Sequence, residues 1–400
     1  MRIAYVNYED LRKQQGGSVH FRAVAEGLRD LGHDVTIVSP RYSSGGLTYP
    51  AGVRGISWRV PGKNVLGVFW FELVMLLLIP YFRLRYRWDA MLVRGGGPAV
   101  IAGLVFLAAR LWGIRVVLEC NGVVWEEFEQ RKMNPLVCRF IRFAAWQQAK
   151  AANRIIGVTR IIAEAYRDIA SRPAWRCDVV PNGADPEAFA DTSSRDEVRS
   201  RLGLTAGAGE PMVVGFVGNF APWHAADRLA EAMVHLRDLP VYLVMIGAGE
   251  NQRQIAEFCK ANGLDRVILT GQLGRDDVPK YYQAMDVGTC LNAANLDGSP
   301  LKFFEYLAAG LPILASGFPQ VREIMGKYDV GDFIEDATPG TIAAAIRRLY
   351  DQPQRRAALS ESNRRLARDV FSWKETSRRV AEILAAGSRQ QPAASSRKPE

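Results

Sequence analysis

The residues best placed for chemistry lie in "DGSPLKFFEYLAAG", Asp297 to Gly310. Ser299 has the hydroxyl of a helix N-cap, and Pro300 suits a first helical position. Lys302 then falls in the first turn, where the helix dipole is positive and a cation costs roughly 0.3–1 kcal/mol. A bound polyanion removes that conflict, because the free helix amides and the ammonium hold it together. Asp297 precedes the cap on the loop, and Glu305 lies one turn beyond the lysine. A carboxylate accepts hydrogen bonds from vicinal hydroxyls, so the stretch suits a diphosphate flanked by two sugars. The plainer alternative is an exposed Lys302–Glu305 pair on an ordinary helix.

Four other stretches carry candidate groups. In "QQGGSVHFRAVAEGL", Gly16 and Gly17 follow the first strand, and a helix is expected to begin near Ser18. Glycines there let the backbone approach a ligand, and His20 stands in the first turn within reach of one. The spacing is not G-x-G-x-x-G, which disfavours a nicotinamide cofactor. In "RVVLECNGVVWEEF", Asn121 and Gly122 end a strand, and Glu126 and Glu127 read as a solvated face. In "GFVGNFAPWHAADRL", Asn219 ends a strand, while His224 and Arg228 flank or enter a helix where a base could meet a phosphate. Asn182-Gly183 is a turn signal and is read as chain reversal. The four histidines have no metal-ligand spacing and no D-x-D pair occurs, so neither a metal site nor a cofactor is expected.

Hydrophobic content of 48% indicates a globular chain with a substantial core. Five scattered cysteines without a C-x-x-C pair read as reduced thiols in the cytoplasm. The opening "MRIAYVNYED" reads as a strand rather than a signal peptide. The net charge of +9 lies wholly in residues 1–190, which hold 25 basic and 16 acidic residues. Such an excess fits a solvated surface or an anionic membrane better than nucleic acid, which is not an expected partner. Residues 65–88, "VLGVFWFELVMLLLIPYFRLRYRW", have an apolar part near spanning length, but Glu72 interrupts it and Pro80 ends it. A buried helix and an interfacial helix with Arg83, Arg85 and Arg87 at phospholipid level are the two readings favoured over a span.

These groups need elements to hold them. Eleven β-branched strands alternate with helical patterns such as Val19–Leu31, Pro98–Trp112 and Ala225–Leu236. The alternation predicts an α/β protein with two doubly wound, Rossmann-like domains of parallel sheet. Residues 1–200 form the expected first domain and 211–370 the second, joined by the Gly/Ala-rich Arg201–Pro211. Residues 373–386 are expected to pack back on the first domain, and 387–400 to be a disordered tail. Ligands of such sheets bind beyond the carboxyl ends of the strands, here expected in a central cleft that the two domains face.

In these motifs and their order the chain resembles glycosyltransferase family 4, retaining enzymes of the GT-B fold. The resemblance rests on "GGSVHFRAVAEGLRDLGHDVTIVS", "LECNG", "VVPNGADPEAF", "GFVGNFAPWHAADRL", "VMIGAGE" and "GSPLKFFEYLAAGLPILAS". The family signature is two acids separated by seven residues, here Asp297 and Glu305. The resemblance implies that Asp297 contacts the donor sugar, that Glu305 holds the nucleotide ribose, and that the loop of Gly298, Ser299, Pro300 and Leu301 binds the diphosphate through the N–H groups it has free. It implies metal-independent transfer from a nucleotide sugar to a lipid-linked or polysaccharide acceptor, in the cytoplasm or peripherally on the inner membrane face. Three positions depart from the family. Asp297 replaces a longer glutamate. Asn219 and "HAAD" replace the usual Arg and Lys-Gly, which leaves the charge to Lys302 with His224 or Arg228. Asn121 replaces a histidine. These departures leave open a non-catalytic binder of nucleotide sugar or of a partner enzyme. Another nucleotide-sugar enzyme of like architecture is the third reading.

Overall fold

The computed structural model describes residues 1–386 apart from 10, 13–15, 44–46, 96–98, 131, 191–194, 205–209, 275–276 and 294–296. The expected disordered tail, 387–400, lies outside the described residues. The chain divides into two units, Met1–Pro181 with Trp373 onward, and Asn182–Ser372.

The first unit holds a parallel sheet of β1 (Arg2–Val6), β2 (Asp34–Arg41), β3 (Arg54–Arg59), β4 (Ala90–Arg94), β5 (Arg115–Cys120), β6 (Arg154–Gly157) and β7 (Cys177–Val179). Their order is β3-β2-β1-β4-β5-β6-β7. The second unit holds β8 (Met212–Val217), β9 (Val241–Ile246), β10 (Val267–Gly271), β11 (Val287–Cys290), β12 (Ile313–Ser316) and β13 (Gly331–Ile334). Their order is β10-β9-β8-β11-β12-β13, again all parallel. Each order reverses once, between β1 and β4 and between β8 and β11, and ligands of doubly wound sheets bind at that reversal. Strands β4, β11 and β12 are buried along their whole length, as strands covered on both faces must be.

Five helices of the first unit matter below: α1 (Gly16–Asp30), α2 (Val65–Tyr86), α3 (Ala102–Leu111), α4 (Val124–Gln130) and α5 (Pro135–Ala151). The helix Trp373–Ala385 belongs to this unit and packs on α1. Gly27 permits the approach, since a Cβ there would lie 2.1 Å from the Ser377 hydroxyl. Val380, Ala381 and Leu384 complete a core with Phe21, Val24 and Leu28.

Several boundaries correct the sequence reading. The first unit ends at Pro181, not near 200. Arg195 and Arg199 of the short helix Arg195–Arg201 clamp Asp286 at 2.8 and 2.7 Å, which ties that helix to the second sheet. The first helix begins at Gly16 rather than near Ser18, and α3 begins at Ala102 rather than Pro98. The helix expected over Ala225–Leu236 is α-helical only over Ala226–Ala232 and continues as a 3-10 turn, Met233–Leu236. The helix α2 runs through Pro80 to Tyr86. Asn64 caps this helix through Gly67 N at 2.9 Å, and Arg87 closes it with φ 53°. Its face formed by Val68, Phe71, Met75, Ile79 and Phe82 is core. By length and composition alone α2 could cross a membrane.

Candidate functional site

In the second unit the reversal of strand order falls between Gly218, after β8, and the loop that follows β11. That loop leads through Asp297 into the helix Leu301–Ala309. The predicted N-cap is off by one residue. Pro300 is the cap, with φ −70° and ψ 117°, no side chain caps the helix, and its first turn contains no acid. The leading amides are therefore open to an external acceptor. The Ser299 hydroxyl is buried and makes no hydrogen bond among the described residues. The Ser299 carbonyl accepts from Asn182 Nδ2 at 2.8 Å, and Asn182 is itself buried. Gly298 faces open space, with no atom within 4 Å of where a Cβ would stand.

Lys302 is 8% exposed, so the exposed Lys302–Glu305 pair is excluded. Its Nζ finds no acceptor among the described residues and sits 4.4 Å from the centroid of the Phe216 ring. Gly218, at φ 147°, brings the backbone against it, and a Cβ there would lie 3.4 Å from Nζ. Burial lowers the lysine pKa, partly offset by Cys290 and Glu305. A buried ammonium without acceptors is costly and is relieved by an anion. Glu305, half-buried, accepts the Tyr282 hydroxyl at 2.5 Å. Asp297 is half-buried on the loop.

His224 belongs to the same cluster. Its Nδ1 donates to the Asn219 carbonyl at 2.8 Å, while the Asn219 side chain is exposed. Burial, and then Lys302, push the imidazole down to about 4 against the opposing pull of Asn219. His224 is therefore neutral near pH 7. The Arg228 guanidinium donates to the Ala337 carbonyl at 3.4 Å.

The remaining candidates, Gly16, Gly17, His20 and Asn121, lie in the first unit, at and beside its own reversal of strand order. Arg94, at the end of β4, donates to the Gly17 carbonyl at 2.8 Å. A Cβ on Gly17 would meet Glu9 Oε2 at 2.8 Å and Arg94 Nη2 at 3.0 Å, so a larger residue there would displace these side chains. His20 is 2% exposed, and its Nε2 meets Glu119 Oε1 at 2.7 Å. Tyr5 donates to the other Glu119 oxygen at 2.6 Å. Burial would raise the Glu119 carboxyl, but His20, Arg94 and Tyr5 outweigh it and hold it below the usual carboxylate range. His20 thus joins Glu119 in a buried hydrogen bond at the start of α1. Two residues beyond Glu119, Asn121 is half-buried, and its Nδ2 has no hydrogen-bond partner among the described residues.

Sequence reasoning passed over Arg94 and Glu119, although a charge at the end of an otherwise apolar strand was a readable signal. It read Asn182 only as a turn residue, and it passed over Tyr282, for which no local pattern existed. Among the described residues no group of three His, Cys, Asp or Glu could hold a metal.

Two family models match in succession. The glycosyl transferase 4-like domain covers residues 15–183, and glycosyl transferases group 1 covers residues 205–366. A 2-deoxystreptamine glucosyltransferase of Streptomyces kanamyceticus is 29% identical over 305 residues, 72% of this chain and 76% of that protein. A GDP-mannose-dependent alpha-(1-6)-phosphatidylinositol monomannoside mannosyltransferase of Mycolicibacterium smegmatis is 26% identical over 313 residues, 76% of this chain and 78% of that one. Among solved structures, Anabaena HepE in complex with UDP superposes with TM-score 0.73 at 16% identity, covering 96% of this chain and 100% of that one. Sucrose-phosphate synthase of Thermosynechococcus elongatus gives 0.74 at 16% identity, covering 96% and 98%. The fold is GT-B, with two Rossmann-like domains. The chain belongs to the family 4 glycosyltransferases and is a transferase of sugars.

Proposed function

We propose that the protein transfers a sugar from a nucleotide-diphosphate donor to a hydroxyl of a lipid-linked or polysaccharide acceptor, with retention at the anomeric carbon. The observation that carries this reading is Lys302, a buried ammonium without an acceptor at an uncapped, acid-free helix N-terminus. A diphosphate supplies what that arrangement lacks. The N–H groups of Gly298, Ser299 and Leu301 hold its oxygens, Pro300 shapes the loop between them, Lys302 meets its charge, and Glu305 takes the ribose hydroxyls. Asp297 takes a hydroxyl of the donor sugar. Gly16 and Gly17 give close backbone approach, and the unpartnered amide of Asn121 is available to a sugar hydroxyl.

In the reaction the bond from the anomeric carbon to the leaving phosphate breaks, and a bond to the acceptor oxygen forms on the same face. The acceptor proton passes to the leaving phosphate. Charge growing on the diphosphate is stabilised by helix amides and Lys302, which were placed before the reaction. The roles of this chain's residues need neither a metal nor a cofactor. We place the protein in the cytoplasm, peripherally on the membrane through residues 65–88. Arg85 and Arg87 are exposed there, whereas Arg83 donates to the Trp112 and Trp88 carbonyls at 3.2 and 3.1 Å.

The absence of a basic group at Asn219, with Arg228 turned away, supports a second reading in which donor is bound but not cleaved. Incubation with a panel of nucleotide sugars and a membrane lipid extract separates the two. Sugar transfer with nucleotide release is expected. Nucleotide binding without turnover for every donor would leave the second reading in its place.

A further inference from the structure

Large apolar side chains are exposed very unevenly. Apart from Ile161, Val179 and Trp223, every exposed large hydrophobic residue among those described lies on α2, α3 or α5, or on the residues that flank them. They include Leu77 (70% exposed) and Leu84 on α2, Leu107 and Leu111 (88%) on α3, and Leu136 (72%) and Phe143 on α5. The helix α3 packs against both α2 and α5, so the three form one layer. Apolar surface on this scale is a docking face rather than ordinary scatter.

Its charge identifies what it meets. Neither α3 nor α5 contains an acidic residue, and the one acid of α2, Glu72, is 1% exposed and accepts the Val100 and Ile101 amides at 2.8 and 2.7 Å. The exposed charges of the layer are cations: Arg85, Arg110, Arg139, Arg142 and Lys150, with Arg87 at the end of α2. An apolar face with a wholly cationic complement matches an anionic bilayer.

Within this layer a groove of about 380 Å³ runs between α3 and α5, lined by Leu104, Leu107, Phe143 and Trp146 with Lys150 at one side. Its floor is dry. The Gln147 amide accepts from Gly103 N at 3.1 Å and donates to the Ala99 and Val100 carbonyls at 3.2 and 2.9 Å. A Cβ on Gly103 would lie 3.0 Å from Gln147 Oε1, so glycine keeps the two helices close. Arg110, Lys150 and Arg172 gather at the last turn of α5. Arg110 donates to the Ala151 carbonyl at 2.9 Å and Lys150 to that of Ala170 at 3.3 Å.

We infer that the outer surface of α2, α3 and α5 lies on an anionic phospholipid bilayer, and that the groove between α3 and α5 takes one acyl chain, with its phosphate at Lys150. This rests on the membrane-surface reading above, extends the contact from residues 65–88 to α3 and α5, and adds an acyl-chain site between those two helices.

The test uses the full chain with vesicles of phosphatidylcholine alone, or mixed with phosphatidylglycerol, in a sedimentation assay. Wild type is expected to partition into the anionic vesicles. L107D/F143D is expected to lose at least tenfold of that partition while keeping its circular dichroism and its nucleotide affinity. The milder Leu107→Ala/Phe143→Ala should lie between them, and guards against misfolding of the first variant. Phosphatidylglycerol with brominated acyl chains should quench wild-type fluorescence more than that of Trp146→Phe. Undiminished partition of both groove variants, with partition lost in Arg85→Glu/Arg87→Glu, would overturn the groove and leave the membrane reading standing. No partition of wild type into either vesicle would overturn both. A wild-type dimer in sedimentation velocity that L107D/F143D converts to monomer, without vesicle binding, would assign the face to a second copy and overturn the inference.

Discussion

Each unit buries charge at the reversal of its strand order, and the two do so in opposite ways. In the first, Tyr5, His20 and Arg94 surround Glu119, whose two oxygens both hold hydrogen bonds. In the second, Lys302 is nearly as deep, yet among the described residues its Nζ has no hydrogen-bond acceptor and lies over the face of Phe216. A satisfied buried charge holds the backbone in place. An unsatisfied one marks where a ligand completes the structure.

The sharpest way to break this contrast is Glu119→Ala. Removing one side of a buried pair strands the other and should cost about 3–5 kcal/mol in urea unfolding. Nucleotide affinity of the folded fraction should not change, and a loss of affinity at unchanged stability would reverse the assignment. Lys302→Met should do the opposite. Transfer should fall by about 10²–10³, the scale of removing one transition-state donor. The thermal midpoint should hold or rise, because the charge it removes had no partner.

The third prediction concerns pH. His224 is held near 4, below its ordinary 6.5, so between these values the unfolded chain binds more protons than the folded one. Stability should therefore fall as pH drops from 6.5 to 4, by at most roughly 3 kcal/mol, and His224→Gln should flatten that slope. A diphosphate beside the imidazole favours its protonated form, so binding should take up a proton, and affinity should rise as pH falls within that window. Calorimetry in buffers of different ionisation enthalpy reads this directly. The smallest effect is expected for Glu305→Ala, about tenfold in nucleotide Kd, the scale of one hydrogen bond to a charged group. An unchanged Kd would remove the ribose role.

What was legible in the sequence follows from what is local. The interior strands read clearly because strands buried on both faces are continuous apolar runs. The two strands passed over, β3 and β13, are edges, and "RGISWR" and "GDFI" carry the charges and glycines that edges tolerate. The border between units was set at a Gly/Ala-rich stretch. The true border at Pro181 depends on Arg195 and Arg199 reaching Asp286, about ninety residues away, which composition cannot show. At the site, the lysine in a first helical turn was visible as an anomaly. Its burial under Phe216, the neutral state of His224 and the turning away of Arg228 arise only from packing across strands.

The terminal helix Trp373–Ala385 sets an order in time. The first unit is built from two separated stretches of chain, and Val380, Ala381 and Leu384 are the last residues of its core to be made. During synthesis, α1 waits for about 340 further residues, roughly 17–70 s at ordinary ribosomal speed. Throughout that interval the surface under Gly27 stays uncovered, and the nascent first unit is an unfinished fold that needs shelter until the chain is complete.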